Sequence, residues 1–299
     1  MLHTRLIFAL IAVVGALAVA GQTRADDAPV VYASNYPLFY FAQEIAGGEL
    51  DIRLPAIEGD PAFWAPDGDQ VAALQAADLV LLNGAGYEGW LNFVSLREER
   101  LVDTTAGLAD RLLPLEEATV HQHGPEGEHS HAGTAFTTWL DPGLAAAQAR
   151  AIAAALGALA PKGKAGFTTR LARLETRLRQ LDQELERAFS ALEDRPVVFS
   201  HPVYQYLQSR YELNGRSLHW EPGEAPGTRA WIDLQNLLAE HPAELLIWES
   251  EPLAETLVEL DRLGVASVVF EPAGNRPAQG DYFDVMASNL AALGASAAD

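Results

Sequence analysis

Short apolar runs rich in β-branched residues alternate along this chain with stretches of helical periodicity. In the first half the runs are 30–34, 52–57, 79–82 and 101–105; in the second they are 197–200, 217–220, 245–248 and 267–270. This pattern predicts two sets of four strands with intervening helices, the signature of α/β folds with largely parallel sheets. Helical sequence separates the two sets. Asp141-Pro142 predicts a cap followed by proline at the first helical position, opening a helix that runs to about residue 159. Pro161-Lys162-Gly163 interrupts it, and a second helix is predicted over 165–192. Along that helix Phe167, Leu171, Leu174, Leu178, Leu181, Leu185 and Phe189 recur at three- and four-residue steps, an amphipathic stripe.

The expected architecture is two lobes, each a mostly parallel four-stranded sheet flanked by helices, joined by one long rigid helix. The boundaries read as an N-terminal lobe over 26–163, a linking helix over 164–194 and a C-terminal lobe over 195–299. Lobes joined this way leave a cleft, and open α/β sheets bind ligands beyond the C-terminal ends of their strands. That places Asn35, residues 58–64, residues 84–87, His201, residues 219–221, residues 249–251 and Glu271 at the cleft.

Residues 1–25 read as a secretory signal: Arg5 supplies positive charge, and 6–19 is an apolar core of signal length, short for a membrane span. The sequence contains no cysteine, so disulfides and thiolate metal sites are excluded, and no thiol is present to carry a lipid. A soluble periplasmic protein is expected. Removing residues 1–25 takes away Arg5 and Arg24 but no acid, moving the formal charge from −21 to −23. That balance argues against nucleic-acid binding, since phosphates are repelled, and it attracts cations. An acidic surface that serves solubility alone fits the same numbers.

Four of the eight histidines, His121, His123, His129 and His131, fall within eleven residues. Imidazole is a common ligand for Zn²⁺ and similar ions. Gly124, Gly127, Gly133 and Pro125 punctuate the run, so 119–133 is expected to form a mobile loop that recruits metal without enforcing a fixed tetrahedral geometry.

Several segments, in this order, resemble the zinc/manganese periplasmic solute-binding proteins of ABC importers. Ser34-Asn35-Tyr36-Pro37-Leu38 is similar to that family's opening strand and helix, and 71–80 to its helix-into-strand segment. Trp139-Leu140-Asp141-Pro142 matches a family motif at a helix start. Phe199-Ser200-His201, followed by Tyr204 and Tyr206, looks like the second-lobe motif, and Tyr282-Phe283-Asp284-Val285-Met286 resembles the final helix. The histidine run falls where zinc-specific members carry a histidine-rich loop.

The resemblance implies a metal held in the cleft by two first-lobe histidines, a second-lobe histidine or glutamate, and a further carboxylate. His201 and Glu271 stand at the third and fourth positions, but Pro61 and Thr137 stand at the first and second. Neither proline nor a neutral threonine hydroxyl is a good Zn²⁺ ligand. Three repairs are open: a carboxylate from Asp60, one or two loop imidazoles from His129 and His131, or an imidazole from His219. Glu249 and Glu221 are candidates to orient imidazoles from behind. Trp64, Trp220, Trp231 and Trp248 are expected in the core or cleft wall.

The implied function is capture of Zn²⁺, with Mn²⁺, Co²⁺ or Ni²⁺ also allowed by nitrogen and oxygen ligands. An inner-membrane ABC permease is the implied partner, a periplasmic metallochaperone is a further candidate, and a monomer is expected. The alternative is a diverged paralogue that buffers zinc weakly through its histidine-rich loop. An adhesin of the same fold is disfavoured by the missing cysteine. The chain carries no His-Glu-x-x-His, no Gly-x-Ser-x-Gly and no phosphate-cradling glycine loop, so an enzyme is not expected. Protonated imidazole cannot ligate. Zinc affinity measured by competition titration should therefore fall as pH drops through roughly 6.5, where free imidazole titrates.

Overall fold

The computed structural model describes residues 28–57, 59, 64–115, 119–122, 128–131 and 133–296. The expected signal over 1–25, and Asp60, Pro61 and His123, lie outside these residues.

In the first lobe, β1 (Val30–Ala33), β2 (Asp51–Arg53), β3 (Leu79–Leu82) and β4 (Leu101–Asp103) pair in the order β2-β1-β3-β4, all parallel. β3 reads Leu-Val-Leu-Leu and is buried at every position, as a central parallel strand covered on both faces must be. Helix α1 (Tyr36–Ala46) starts at Asn35, whose side chain accepts from the Leu38 N–H at 3.0 Å. It ends at Gly47 in the left-handed region, where a Cβ would lie 2.6 Å from the Arg170 Nε. Helix α2 (Gly68–Ala76) opens with a reciprocal capping box between Asp67 and Gln70.

The histidine-rich segment departs from expectation. It forms an antiparallel pair, β5 (Thr119–Gln122) and β6 (Glu128–His131), with His121 opposite His129 and Thr119 opposite His131. Thr119-Val120 favours extended backbone, and the glycines and proline are gathered mainly in the connection, so 119–122 and 128–131 are free to pair.

Helix α3 (Pro142–Leu159) begins as the sequence predicts: the Asp141 carboxylate accepts from the Gly143 and Leu144 N–H groups. This 18-residue Ala-rich helix is long and apolar enough to cross a membrane by length and composition, but half of it is buried inside the protein as a core helix. Helix α4 (Lys164–Ser190) follows, 27 residues or about 40 Å long. It buries Phe167, Leu174, Leu178, Leu181, Leu185 and Phe189, while Leu171 packs partly buried beside them. Each fully buried side chain contributes roughly 2 kcal/mol, enough to hold a helix whose other face is charged.

The second lobe repeats the first. β7 (Val197–Phe199), α5 (Gln205–Arg210), β8 (Gly215–Ser217), α6 (Thr228–Glu240), β9 (Leu245–Trp248), α7 (Ala254–Arg262) and β10 (Ala266–Val269) build a parallel sheet in the order β8-β7-β9-β10. Two edge strands differ from the sequence reading. β2 stops at Arg53 because Pro55 cannot donate to a ladder, and β8 lies before its expected start. The backbone beyond β8 still follows β7, with Leu218 donating to the Phe199 carbonyl and Trp220 to the Ser200 carbonyl, both at 2.8 Å.

The last helix, α8 (Tyr282–Ser296), packs on β10 and α4 and reaches the first lobe. Tyr282 stacks on Tyr40 at 6.0 Å, meets Phe41 edge-on at 5.3 Å and donates its hydroxyl to the Trp139 carbonyl at 2.9 Å. One hydrophobic core therefore runs from Val31 and Leu81 through α4 to Phe199, Ile247 and Val268. Leu178 has no solvent exposure and sits midway along α4. Leu178→Ala should lower unfolding free energy by about 3 kcal/mol in urea titrations, from lost burial and a residual cavity.

Candidate metal centre

Both sheets share one winding, with the first strand flanked by the second on one side and the third on the other. The switch points, where such folds open a crevice, lie between β1 and β3 and between β7 and β9. The segments that leave these strands meet across a cavity of about 490 Å³.

At the second-lobe switch point His201 follows β7 and Glu249 follows β9. His201 is 5% exposed. Its Nδ1 lies 3.7 Å from Glu249 Oε1 and its Nε2 lies 3.8 Å from Glu221 Oε1, so the ring sits between two carboxylates. Glu271 follows β10, and Asn289 clamps its backbone by accepting from its N–H and donating to its carbonyl, both at 2.9 Å. His201, Glu221, Glu249 and Glu271 all line the cavity. His219 is exposed and does not line it; its ring stands nearly perpendicular to that of His201, with centroids 6.1 Å apart. Glu251 is exposed and is not among the residues lining the cavity.

The first lobe brings different chemistry. Thr137 lines the cavity, but its hydroxyl donates to the Val203 carbonyl at 2.6 Å, tying the two lobes together. Tyr206 adds a second tie by donating to the Ala135 carbonyl at 2.8 Å, and Trp139 a third by donating to the Pro272 carbonyl at 2.7 Å. Gly59 lines the cavity, and its carbonyl accepts from Asn275 at 2.7 Å. His121, His129 and His131 lie on the β5–β6 pair. Among the described residues, no three His, Asp or Glu side chains converge closely enough to hold a metal ion by themselves.

The first-lobe switch point holds a polar network absent from the sequence reading. Glu88 is buried and accepts from the Asn83 N–H at 2.6 Å and the Gly84 N–H at 3.1 Å. Asn83 in turn donates to the Phe136 carbonyl at 2.9 Å, and its own side-chain oxygen accepts from Asn35 and Gln148. Gly84, at φ 78, approaches so closely that a Cβ there would lie 1.9 Å from Asp103 Oδ1. Burial pushes the Glu88 carboxyl up to about 7, against the opposing pull of hydrogen bonds from Ser34 and from the Asn83 and Gly84 backbone. The signal for this network was a glutamate four residues beyond a strand-ending Asn-Gly, a pattern that also suits an ordinary solvated turn.

Residues 31–296 match the family described as ZnuA, zinc-uptake complex component A, periplasmic. The chain is 26% identical over 291 residues to the zinc-binding lipoprotein AdcA of Streptococcus pneumoniae strain ATCC BAA-255 / R6, covering 93% of this chain but only 57% of that protein. It is 26% identical over 303 residues to the high-affinity zinc uptake system protein ZnuA of Bacillus subtilis, covering 96% of this chain and 93% of that one. The crystal structure of the Zn(II)-bound ZnuA-like domain of Streptococcus pneumoniae AdcA superposes with a TM-score of 0.75 at 21% identity, covering 91% of this chain and all of that domain, a likeness of fold.

The unfolded chain has an ordinary carboxyl near 4.5 at residue 88, whereas the folded one titrates at about 7. Between those values the folded state keeps a proton that the unfolded state has lost, so this group's contribution to stability declines as pH rises through that window. Urea titrations from pH 5 to 8 should show wild type losing about 3 kcal/mol relative to Glu88→Gln across the range. Parallel pH profiles for the two proteins would contradict the burial of this carboxyl.

Proposed function

The chain belongs to the family of periplasmic zinc-uptake complex component A proteins, and on that premise we propose that it captures Zn²⁺ in the inter-lobe cleft and delivers it to an inner-membrane ABC permease. The role is binding and transfer, without catalysis. His201 and Glu271 serve as metal ligands, with Asp60 or His219 as further candidates, and Glu249 orients the His201 imidazole. Export through residues 1–25 places the protein in the periplasm as a monomer. The lobes are read as 26–163 and 195–299, with 164–194 between them.

The observation that carries this reading is the buried His201 imidazole at a topological switch point, flanked by Glu221 and Glu249 and facing a cleft that Glu271 shares. Buried imidazole next to carboxylates matches the donors Zn²⁺ prefers when thiolate is absent. The acidic chain, at −21, favours cation approach over anion approach. His121, His123, His129 and His131 recruit metal to the protein.

A second reading has one specific observation in its favour. Thr137 occupies a family ligand position, and its hydroxyl is committed to the Val203 carbonyl. A cleft weakened in this way leaves the histidine-rich segment as the main metal contact, acting as a buffer. Zinc titration by calorimetry and native mass spectrometry separates the two. Capture requires one tight site that survives deletion of residues 121–131 and weakens roughly 100-fold in His201→Ala. Buffering requires weak, multiple binding that disappears with the deletion.

A further inference from the structure

We infer that Glu221 is a direct metal ligand, paired with His201 in a carboxylate-rich site that contains a single imidazole and is built mainly on the second lobe. This rests on the cleft-capture reading above and specifies the donors.

The backbone places Glu221 for this role. After β8 ends at Ser217, Leu218 and Trp220 continue to hydrogen-bond along β7. The Trp220 indole is buried against Trp231 at 4.9 Å and Trp248 at 6.0 Å. Glu221 is therefore carried on anchored chain to the cavity lining, beside His201, which follows β7. Its Oε1 stands 3.8 Å from His201 Nε2. That separation is too long for a hydrogen bond. Two donors bound at about 2.0–2.2 Å to one tetrahedral zinc stand roughly 3.3 Å apart, so a closure of about half an ångström brings both onto one ion.

The other ring nitrogen supports the assignment. Glu249 Oε1 lies on the Nδ1 side at 3.7 Å. A metal ion bound at Nε2 would leave Nδ1 as the donor nitrogen, with Glu249 the carboxylate on that side to orient the ring. Glu221, Glu249 and Glu271 all line the same cavity, so its carboxylates favour a divalent cation beside His201. Thr137 is occupied by its bond to Val203, and His219 is exposed and is not among the residues lining the cavity. The donor that the first lobe does not supply at Thr137 is replaced from the second lobe.

The test uses the full exported chain as wild type, Glu221→Gln, Glu249→Gln and His201→Ala. Zn²⁺ affinity is measured by competition titration, and the visible absorption of the Co²⁺ form reports the coordination sphere. Glu221→Gln should weaken Zn²⁺ roughly 100-fold and alter the Co²⁺ spectrum, whereas Glu249→Gln should weaken binding about 10-fold and leave that spectrum unchanged. X-ray absorption on wild type with one equivalent of Zn²⁺ should show one imidazole among oxygen donors, a readout independent of any variant's folding. Wild-type affinity and spectrum in Glu221→Gln, with binding lost in His201→Ala, overturn this inference and leave cleft capture standing. Two or more imidazoles on the ion also overturn it. Wild-type affinity in His201→Ala removes both this inference and the cleft reading.

Discussion

Burial of the apolar stripe on α4 sets the distance between the two sheets, and the cleft takes its shape from that distance. The stripe belongs to neither lobe alone. Phe167 and Leu174 lie toward the end that meets α1, and Phe189 contacts Phe270 and Tyr211 of the second lobe. Arg170, on the same helix, donates to the Ile45 and Ala46 carbonyls and so satisfies the exposed end of α1. A helix anchored along its length in this way behaves as a strut between the lobes. The direct ties near the cleft, from Thr137, Trp139 and Tyr206, then lock the opposite side. Such a frame resists swinging one lobe away from the other, because it is tied on both sides of the cavity.

The two switch points show how one topology supports different chemistry. In the second lobe the residues leaving β7 and β9 are an imidazole and a carboxylate that face open space. In the first lobe the residues leaving β1 and β3 turn inward, and Asn35, Asn83, Thr138 and Gln148 satisfy one another in a closed network around Glu88. A fully connected polar network rigidifies its surroundings, and it costs most when one member is missing. The first lobe therefore acts as a stiff wall, while the donors described here come chiefly from the second.

Most of the fold was legible because periodicity reports burial. The four-residue run of β3 and the α4 stripe each have one physical solution, and the Asp141-Pro142 start follows from local hydrogen bonding and fixed φ. The edge strands were placed less well, since β2 and β8 are half-buried and their limits depend on neighbours rather than on their own residues. At the site, His201 and Glu271 were readable from position after a strand. The commitment of Thr137 to Val203 was not, because a hydroxyl's partner 66 residues away leaves no mark on local composition. Glu221 was readable beside an imidazole from its place after a strand run, although the strand itself ends earlier, at Ser217. The pairing of 119–122 with 128–131 is not legible in the histidine run, because glycine and proline favour irregular backbone and only their concentration between the two segments leaves these free to pair.

The stacking of Tyr282 on Tyr40 joins the final helix to the first one. A chain made from its N-terminus reaches that partner only after the strands of both sheets have been made. Until then Phe41 lacks one wall of its pocket and the Trp139 carbonyl lacks its donor. Completion of the first lobe thus waits on α8, and a polypeptide that lacks this helix leaves the Phe41 pocket open and the Trp139 carbonyl without its Tyr282 donor.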